Sequence, residues 1–153
     1  MTKEDRAPST QVYRLFIRAE ATKIWDAITK PEFTKLYFEG TPEIIDGRYV
    51  AHGPGGEVWV DGAVIESDAP RRLVHEWRAL YDADAGGEPA SRVTWEIEPA
   101  DGGICSLTVT HDRLEASPKT AASVGEGWPM VLSGLKTLVE TGEPLVAVTP
   151  PTS

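Results

Sequence analysis

The chain has 153 residues and a formal net charge of −9. This length predicts a single domain, and the acidic balance argues against binding to nucleic acid or anionic membrane surfaces, which requires a basic footprint. No apolar run approaches the roughly 18 residues of a membrane span, and the N-terminus lacks the apolar core of a signal peptide. The single cysteine, Cys105, excludes an intrachain disulfide and fits a reducing compartment. We therefore expect a cytoplasmic protein with one domain at 10–144 between flexible tails at 1–9 and 145–153.

The first predicted elements are a strand and two short helices. Residues 11–19 alternate apolar and polar side chains, as a half-buried strand does. Apolar residues at 21–28 have helical spacing, and Pro31 interrupts that helix because proline lacks a backbone donor and clashes with the preceding turn. Pro31 then suits the first position of a second helix, at 31–38, before the exit at Gly40.

The middle of the chain has the pattern of an antiparallel sheet. The predicted strands, separated by turn residues, are 43–45, 48–52, 57–66, 72–80, 91–98 and 104–112. Their alternation gives the sheet one apolar face, here called the dry face, and one polar face that contacts solvent. This is typical of a sheet covered on one side only. By this alternation His75, Trp77, Trp95 and His111 lie on the dry face.

The end of the chain predicts one long helix of about 13 residues. Apolar residues from Trp128 to Val139 recur at the i, i+3, i+4, i+7 spacing of one helix face. Pro129 suits the first helical position and Gly142 the left-handed residue just past the end. We interpret residues 117–127, which contain a proline and two glycines, as a connector, with a hinged flap as the alternative.

Three stretches carry a more specific resemblance. They are IRAEATKIWDAITKPEFTKLYF, APRRLVHEW and GWPMVLSGLKTLVETGEP. Together they resemble the START-like SRPBCC superfamily and, within it, the family named for the activator of the 90-kDa heat-shock protein ATPase. The resemblance implies an α+β helix-grip (START/Bet v-like) fold, with a curved antiparallel sheet of about six to seven strands wrapped on a long C-terminal helix. It also implies a cavity between that helix and the sheet, which members use for apolar or aromatic molecules, but it does not imply one reaction.

The aromatic and histidine side chains of the dry face are the candidate ligand site. The predicted cavity residues are His75, Trp77, Trp95, His111, Trp128, Val131 and Leu135. Aromatic walls with few polar groups suit a flat apolar ligand, whereas a packed core has the same sequence pattern and lacks a void of roughly 300 Å³ or more. Either histidine could contact a ligand or act as a general base, and a core histidine bonded to a neighbour is the simpler interpretation.

Three functions remain open at this stage. The leading hypothesis is binding of a small hydrophobic or aromatic ligand such as a lipid, a sterol or a polyketide-like molecule. The second is a cyclase, aromatase or hydrolase in which His75 or His111 transfers a proton, and the third is a co-chaperone-like domain that binds a chaperone ATPase. The three histidines are far apart and lack HExxH spacing, so we expect no metal site and predict no cofactor. The oligomeric state stays open.

Overall fold

The computed structural model describes residues 8–146. The elements in chain order are β1 (Gln11–Ile17), α1 (Ala21–Thr29), α2 (Pro31–Thr34), β2 (Thr41–Ile45), β3 (Arg48–His52), β4 (Val58–Asp68), β5 (Arg72–Ala79), α3 (Ala83–Gly86), β6 (Ser91–Ala100), β7 (Ile104–Asp112) and α4 (Pro118–Thr141). The tails expected at 1–9 and 145–153 lie outside the described residues, except at 8–9 and 145–146. Within residues 8–146, no helix has the length and apolar character needed to cross a membrane.

The strands form one seven-stranded antiparallel sheet with the order β1-β7-β6-β5-β4-β3-β2. Helices α1 and α2 connect the two edge strands, and α4 packs with them against the inner face, where the hydrophobic core lies. This arrangement confirms the predicted α+β helix-grip fold. The short α2 ends at Thr34, earlier than predicted, and α3 forms within a loop where no helix was expected.

Burial follows the predicted alternation on the inner face. His75, Trp95 and His111 are at most 1% exposed, and Trp77 is 6% exposed. The outer face is less exposed to solvent than the alternation predicts, because Thr94 is buried there as well.

Helix α4 is longer than predicted, since it begins at Pro118 and runs without interruption for 24 residues. The interpretation of residues 117–127 as a connector is therefore wrong. Pro129 lies inside the helix, where it removes one backbone hydrogen bond. Packing offsets this loss because Ala121 and Val124, in the turns before Pro129, belong to the hydrophobic core.

The start of α4 is capped by a residue from another part of the chain. The Glu88 carboxylate accepts hydrogen bonds from the backbone N–H groups of Lys119 (3.0 Å) and Thr120 (2.8 Å). Burial alone would raise the pKa of Glu88, but these bonds and one from the Thr120 hydroxyl lower it. Glu88 thus satisfies helix donors that a local N-cap would normally satisfy. The other end of the helix matches the prediction, with Gly142 in the left-handed conformation at φ 81°.

Candidate functional site

A cavity of about 680 Å³ opens between α4, the segment from α2 to β2, and the inner face of strands β3 to β5. Its aromatic wall consists of Tyr37, Phe38, Trp59, Trp77, Tyr81 and Trp128. Ala51 of β3 and Val60 of β4 pair on neighbouring strands, and both line the cavity. The volume is within the range of small-molecule sites.

The structure divides the seven predicted cavity residues into two groups. Trp77, Trp128 and Val131 line the cavity. The other four, which are His75, Trp95, His111 and Leu135, are buried at 1% exposure or less and are not part of its wall. Alternation along a strand correctly places these residues on the inner face, but it does not say how far each lies from the void.

His75 is held by hydrogen bonds on both ring nitrogens. Its Nδ1–H donates to the carbonyl of Glu76 at 2.9 Å, and its Nε2 accepts from the indole N–H of Trp95 at 2.9 Å. Tyr49 stacks on the imidazole with 3.8 Å between ring centroids. Burial lowers the pKa of His75 to about 4, so the ring is neutral at physiological pH.

His111 is satisfied in the same way by different partners. Its Nδ1 accepts from the indole N–H of Trp128 at 3.0 Å, which leaves the proton of the neutral ring on Nε2. This Nε2–H donates to the hydroxyl of Ser91 at 2.7 Å, and that hydroxyl donates to the carbonyl of Trp77 at 3.2 Å. Burial, together with His75, lowers the pKa of His111 to about 3.

Neither histidine therefore has a free nitrogen for a ligand or for proton transfer. A general base needs an available lone pair within reach of the substrate and a pKa close to the working pH. His75 and His111 meet neither requirement. In the part of the chain that the structure describes, no group of three or more His, Cys, Asp or Glu side chains is placed to hold a metal ion.

The mouth of the cavity is polar. The Tyr81 hydroxyl and the Ser123 hydroxyl lie 2.6 Å apart and join the end of β5 to α4. Burial raises the pKa of Tyr81; the Ser123 bond opposes this, and the nearby carboxylates of Asp82 and Glu39 add to it. Glu39 and Glu126 line the opening and are exposed, so water reaches this end of the cavity.

Sequence reasoning missed the aromatic residues outside the predicted core. The indole ring of Trp59 packs against Gly40 and Gly53. A Cβ on Gly40 would lie 3.2 Å from this ring, and a Cβ on Gly53 would lie 2.3 Å from it. The Tyr37 hydroxyl donates to the carbonyl of Ala27 at 2.6 Å, which fixes the segment after α2 against α1. For Tyr37 and Phe38, the local signal is the pair of neighbouring aromatic residues in the KLYF stretch, which does not show where the rings point.

The long helix on the inner face of an antiparallel sheet, with a cavity between them, defines a helix-grip protein of the START-like SRPBCC class. The family model described as "Activator of Hsp90 ATPase homolog 1-like protein" matches residues 6–140. This chain belongs to that family. A search of the curated proteins found no match.

Several solved structures are similar to this chain in fold. CalU16 from Micromonospora echinospora is 24% identical with a TM-score of 0.67, and the match covers 88% of this chain and 76% of that one. DynU16, a protein of the dynemicin biosynthetic locus, is 21% identical with a TM-score of 0.72, covering 90% of this chain and 49% of that one. An Hsp90 activator from Plasmodium falciparum is 18% identical with a TM-score of 0.68, covering 90% and 99%. At these identities the similarity shows a common fold.

Proposed function

We propose that this protein binds a small hydrophobic or aromatic molecule, such as a lipid, a sterol or a polyketide-like compound, between α4 and the sheet. The observation that carries the proposal is the cavity of about 680 Å³ with its aromatic wall. A packed core would leave no such space, and burial of a flat apolar ligand against Trp77 and Trp128 would remove apolar area from water. The likeness to DynU16, from a biosynthetic locus, is consistent with a small-molecule partner.

The test is a ligand panel measured by native mass spectrometry and thermal shift. Palmitic acid, cholesterol and the aromatic polyketide emodin represent the three classes. A compound that binds should give a 1:1 complex and, at 100 times its Kd, stabilise the fold by about 2.7 kcal/mol. Failure of all three compounds to bind would contradict the proposal for these classes.

A variant that fills the cavity locates the binding site. Gly127 lines the cavity, and a Cβ added there would meet no atom within 4 Å. Gly127→Leu should therefore preserve folding, since leucine is more favourable than glycine in a helix interior by about 1 kcal/mol. The same variant should abolish binding. Ala122→Leu is the matched control, because Ala122 is exposed on the same helix and outside the cavity wall. Unchanged binding by Gly127→Leu would place the ligand elsewhere.

A second function is favoured by the family itself. Its description names an activator of Hsp90 ATPase, and one structural relative is an Hsp90 activator. We propose stimulation of a chaperone ATPase as the alternative role. The test is ATP turnover by Hsp90 with this protein at saturating concentration, and unchanged turnover would remove the alternative. An enzyme that uses His75 or His111 is not proposed, because both rings are fully hydrogen-bonded within the protein.

A further inference from the structure

We propose that the cavity selects a ligand whose flat apolar body carries a positive charge, such as a protonated amine or an amidinium group, at the end that meets the mouth. Glu39 and Glu126 are the residues that determine this specificity. The inference rests on the proposed ligand binding and adds the sign of the ligand's charge, which an apolar wall alone does not specify.

The charged residues of the cavity wall are all acidic. Within residues 8–146, the wall contains two carboxylates, Glu39 and Glu126, and no lysine, arginine or histidine. Glu39 follows α2 and Glu126 lies on α4, so acidic side chains reach the mouth from two separate elements. Neither of them forms an ion pair with another described residue. Both charges are therefore available to a ligand.

Two further carboxylates lie beside the wall. The Glu57 carboxylate accepts a hydrogen bond from the indole N–H of the wall residue Trp59 at 3.0 Å. Asp82 follows Tyr81, whose pKa is raised mainly by burial and also by the charges of Asp82 and Glu39. The charge of Glu39 thus acts on a phenol of the cavity wall, and a ligand in the mouth would experience the same negative field.

Basic residues near this region in the chain do not offset these charges. Lys119, in the first turn of α4, pairs with Asp84 at 3.4 Å. Arg78 follows the inward-facing Trp77 on β5 and is exposed, so it lies on the outer face because successive side chains of a strand alternate. Lys35 is exposed and is not part of the wall. An anionic ligand would therefore enter a negative field without a cation to pair with.

The wall also offers few hydrogen-bond donors to an anion. The hydroxyls of Tyr81 and Ser123, 2.6 Å apart, use one of their two hydrogens in the bond between them. The Tyr49 hydroxyl and the Trp77 N–H have no partner among residues 8–146, but both are too deeply buried to reach a ligand. The remaining side-chain donors of the wall are bonded within the protein, Tyr37 to Ala27, Trp59 to Glu57 and Trp128 to His111. A carboxylate would thus lose its hydration without replacement.

A cation meets the opposite situation. The N–H groups of an amine or an amidinium can donate to the carboxylates of Glu39 and Glu126, and the attraction between opposite charges adds to these bonds. The faces of aromatic rings also attract a cation within about 6 Å, and the same wall is rich in such rings. For molecules of equal shape, affinity should therefore decrease from the cationic to the neutral to the anionic form.

The experiment compares three planar probes of nearly equal shape at pH 7, which are the cation 2-naphthamidine, the neutral 2-naphthamide and the anion 2-naphthoate. At about 10 mM salt, calorimetric titration should show the amidine binding at least about tenfold more tightly than naphthoate, with the amide between them. At about 1 M salt, where the Debye length is about 3 Å, this preference should fall below about threefold. No preference at low salt, or one that salt leaves unchanged, would overturn the inference.

Two substitutions remove the charges and keep the size of the side chains. In the double variant Glu39→Gln/Glu126→Gln, the preference for the amidine at low salt should fall below about threefold, with each single variant between this value and the wild type. Affinity for the neutral amide should stay within about twofold, which shows that the cavity is intact. A double variant that binds the amide normally and keeps the full preference would contradict the role of these residues.

Glu98→Gln is the matched control. Glu98 is exposed on β6 and outside the cavity wall, so this variant changes the net charge by as much as each single variant at the mouth. Its preference should stay within about twofold of the wild type. A loss equal to that in Glu39→Gln or Glu126→Gln would assign the preference to the overall charge of −9 and overturn the inference.

The neutral probe and the earlier ligand panel separate the inference from the proposed function. If 2-naphthamide binds and the charged probes show no preference, the inference fails and the proposed function stands. If none of the three probes binds, the inference fails alone when a compound of the panel binds, and together with the proposed function when the panel fails as well.

Discussion

Two neighbouring regions on the inner face use the same residue types in opposite ways. We call the first the His–Trp cluster, which consists of His75, Ser91, Trp95, His111 and Trp128. Each imidazole in it accepts from one indole and donates to an oxygen, so its side-chain donors and acceptors are paired. The cavity wall around Trp77 has aromatic residues as well, but it borders a void, and the buried indole N–H of Trp77 has no partner among residues 8–146. The same residue types thus form a hydrogen-bonded core in one region and border a void in the next, and Trp128 belongs to both regions.

The largest effect should come from truncating a core residue and a cavity residue that lie one turn apart on α4. Leu135 is fully buried outside the cavity wall, so Leu135→Ala should lower the free energy of unfolding by about 2 to 5 kcal/mol. Val131 borders the existing void, and Val131→Ala should cost less than about 1 kcal/mol because it leaves fewer contacts unmade. Urea unfolding measures both. Equal costs would show that the space beside Val131 is packed.

The next largest effect is a loss of stability in mild acid. The folded-state pKa values of His75 and His111, about 4 and about 3, lie below the unfolded value of about 6.5. The unfolded chain therefore binds more protons below pH 6.5, and stability falls as the pH decreases toward 4. Between pH 7 and pH 5 we expect a loss of about 2 kcal/mol for each histidine, measured from urea midpoints.

The variant His111→Gln is the control for this pH effect, since its amide can accept from Trp128 and donate to Ser91 without titrating. It should lose roughly half of the pH dependence. A variant that keeps the full dependence of the wild-type protein would show that other groups are responsible.

The smallest effect distinguishes two indoles that both line the cavity. Trp128→Phe leaves Nδ1 of His111 buried without its donor, whereas Trp77→Phe removes a donor that has no partner within residues 8–146. Without ligand, Trp128→Phe should therefore cost about 1 to 2 kcal/mol more than Trp77→Phe. Chemical denaturation at pH 7 tests this order, and the reverse order would contradict the assignment of Trp77 as the unpaired group.

Much of the fold could be predicted from the sequence because its signals are local. The predicted strands at 48–52 and 104–112 coincide with β3 and β7, since alternation and flanking turn residues specify a strand over a few positions. The helical phase that places Leu135 inward is also correct. The start of α4 was missed because Pro129 and its neighbouring glycines resemble a helix boundary, while the Glu88 cap lies 31 residues before Lys119.

The sequence by itself determined the order of the strands, the dry face of the sheet and the buried face of the last helix, because periodicity depends only on neighbouring residues. Only the tertiary structure decided which dry-face residues border the cavity. That outcome depends on pairs such as Trp95 with His75 and Trp128 with His111, which are 20 and 17 residues apart. Whether an indole meets an imidazole, a void or, like Trp128, both depends on how the strands and the helix pack, which no spacing along the chain specifies.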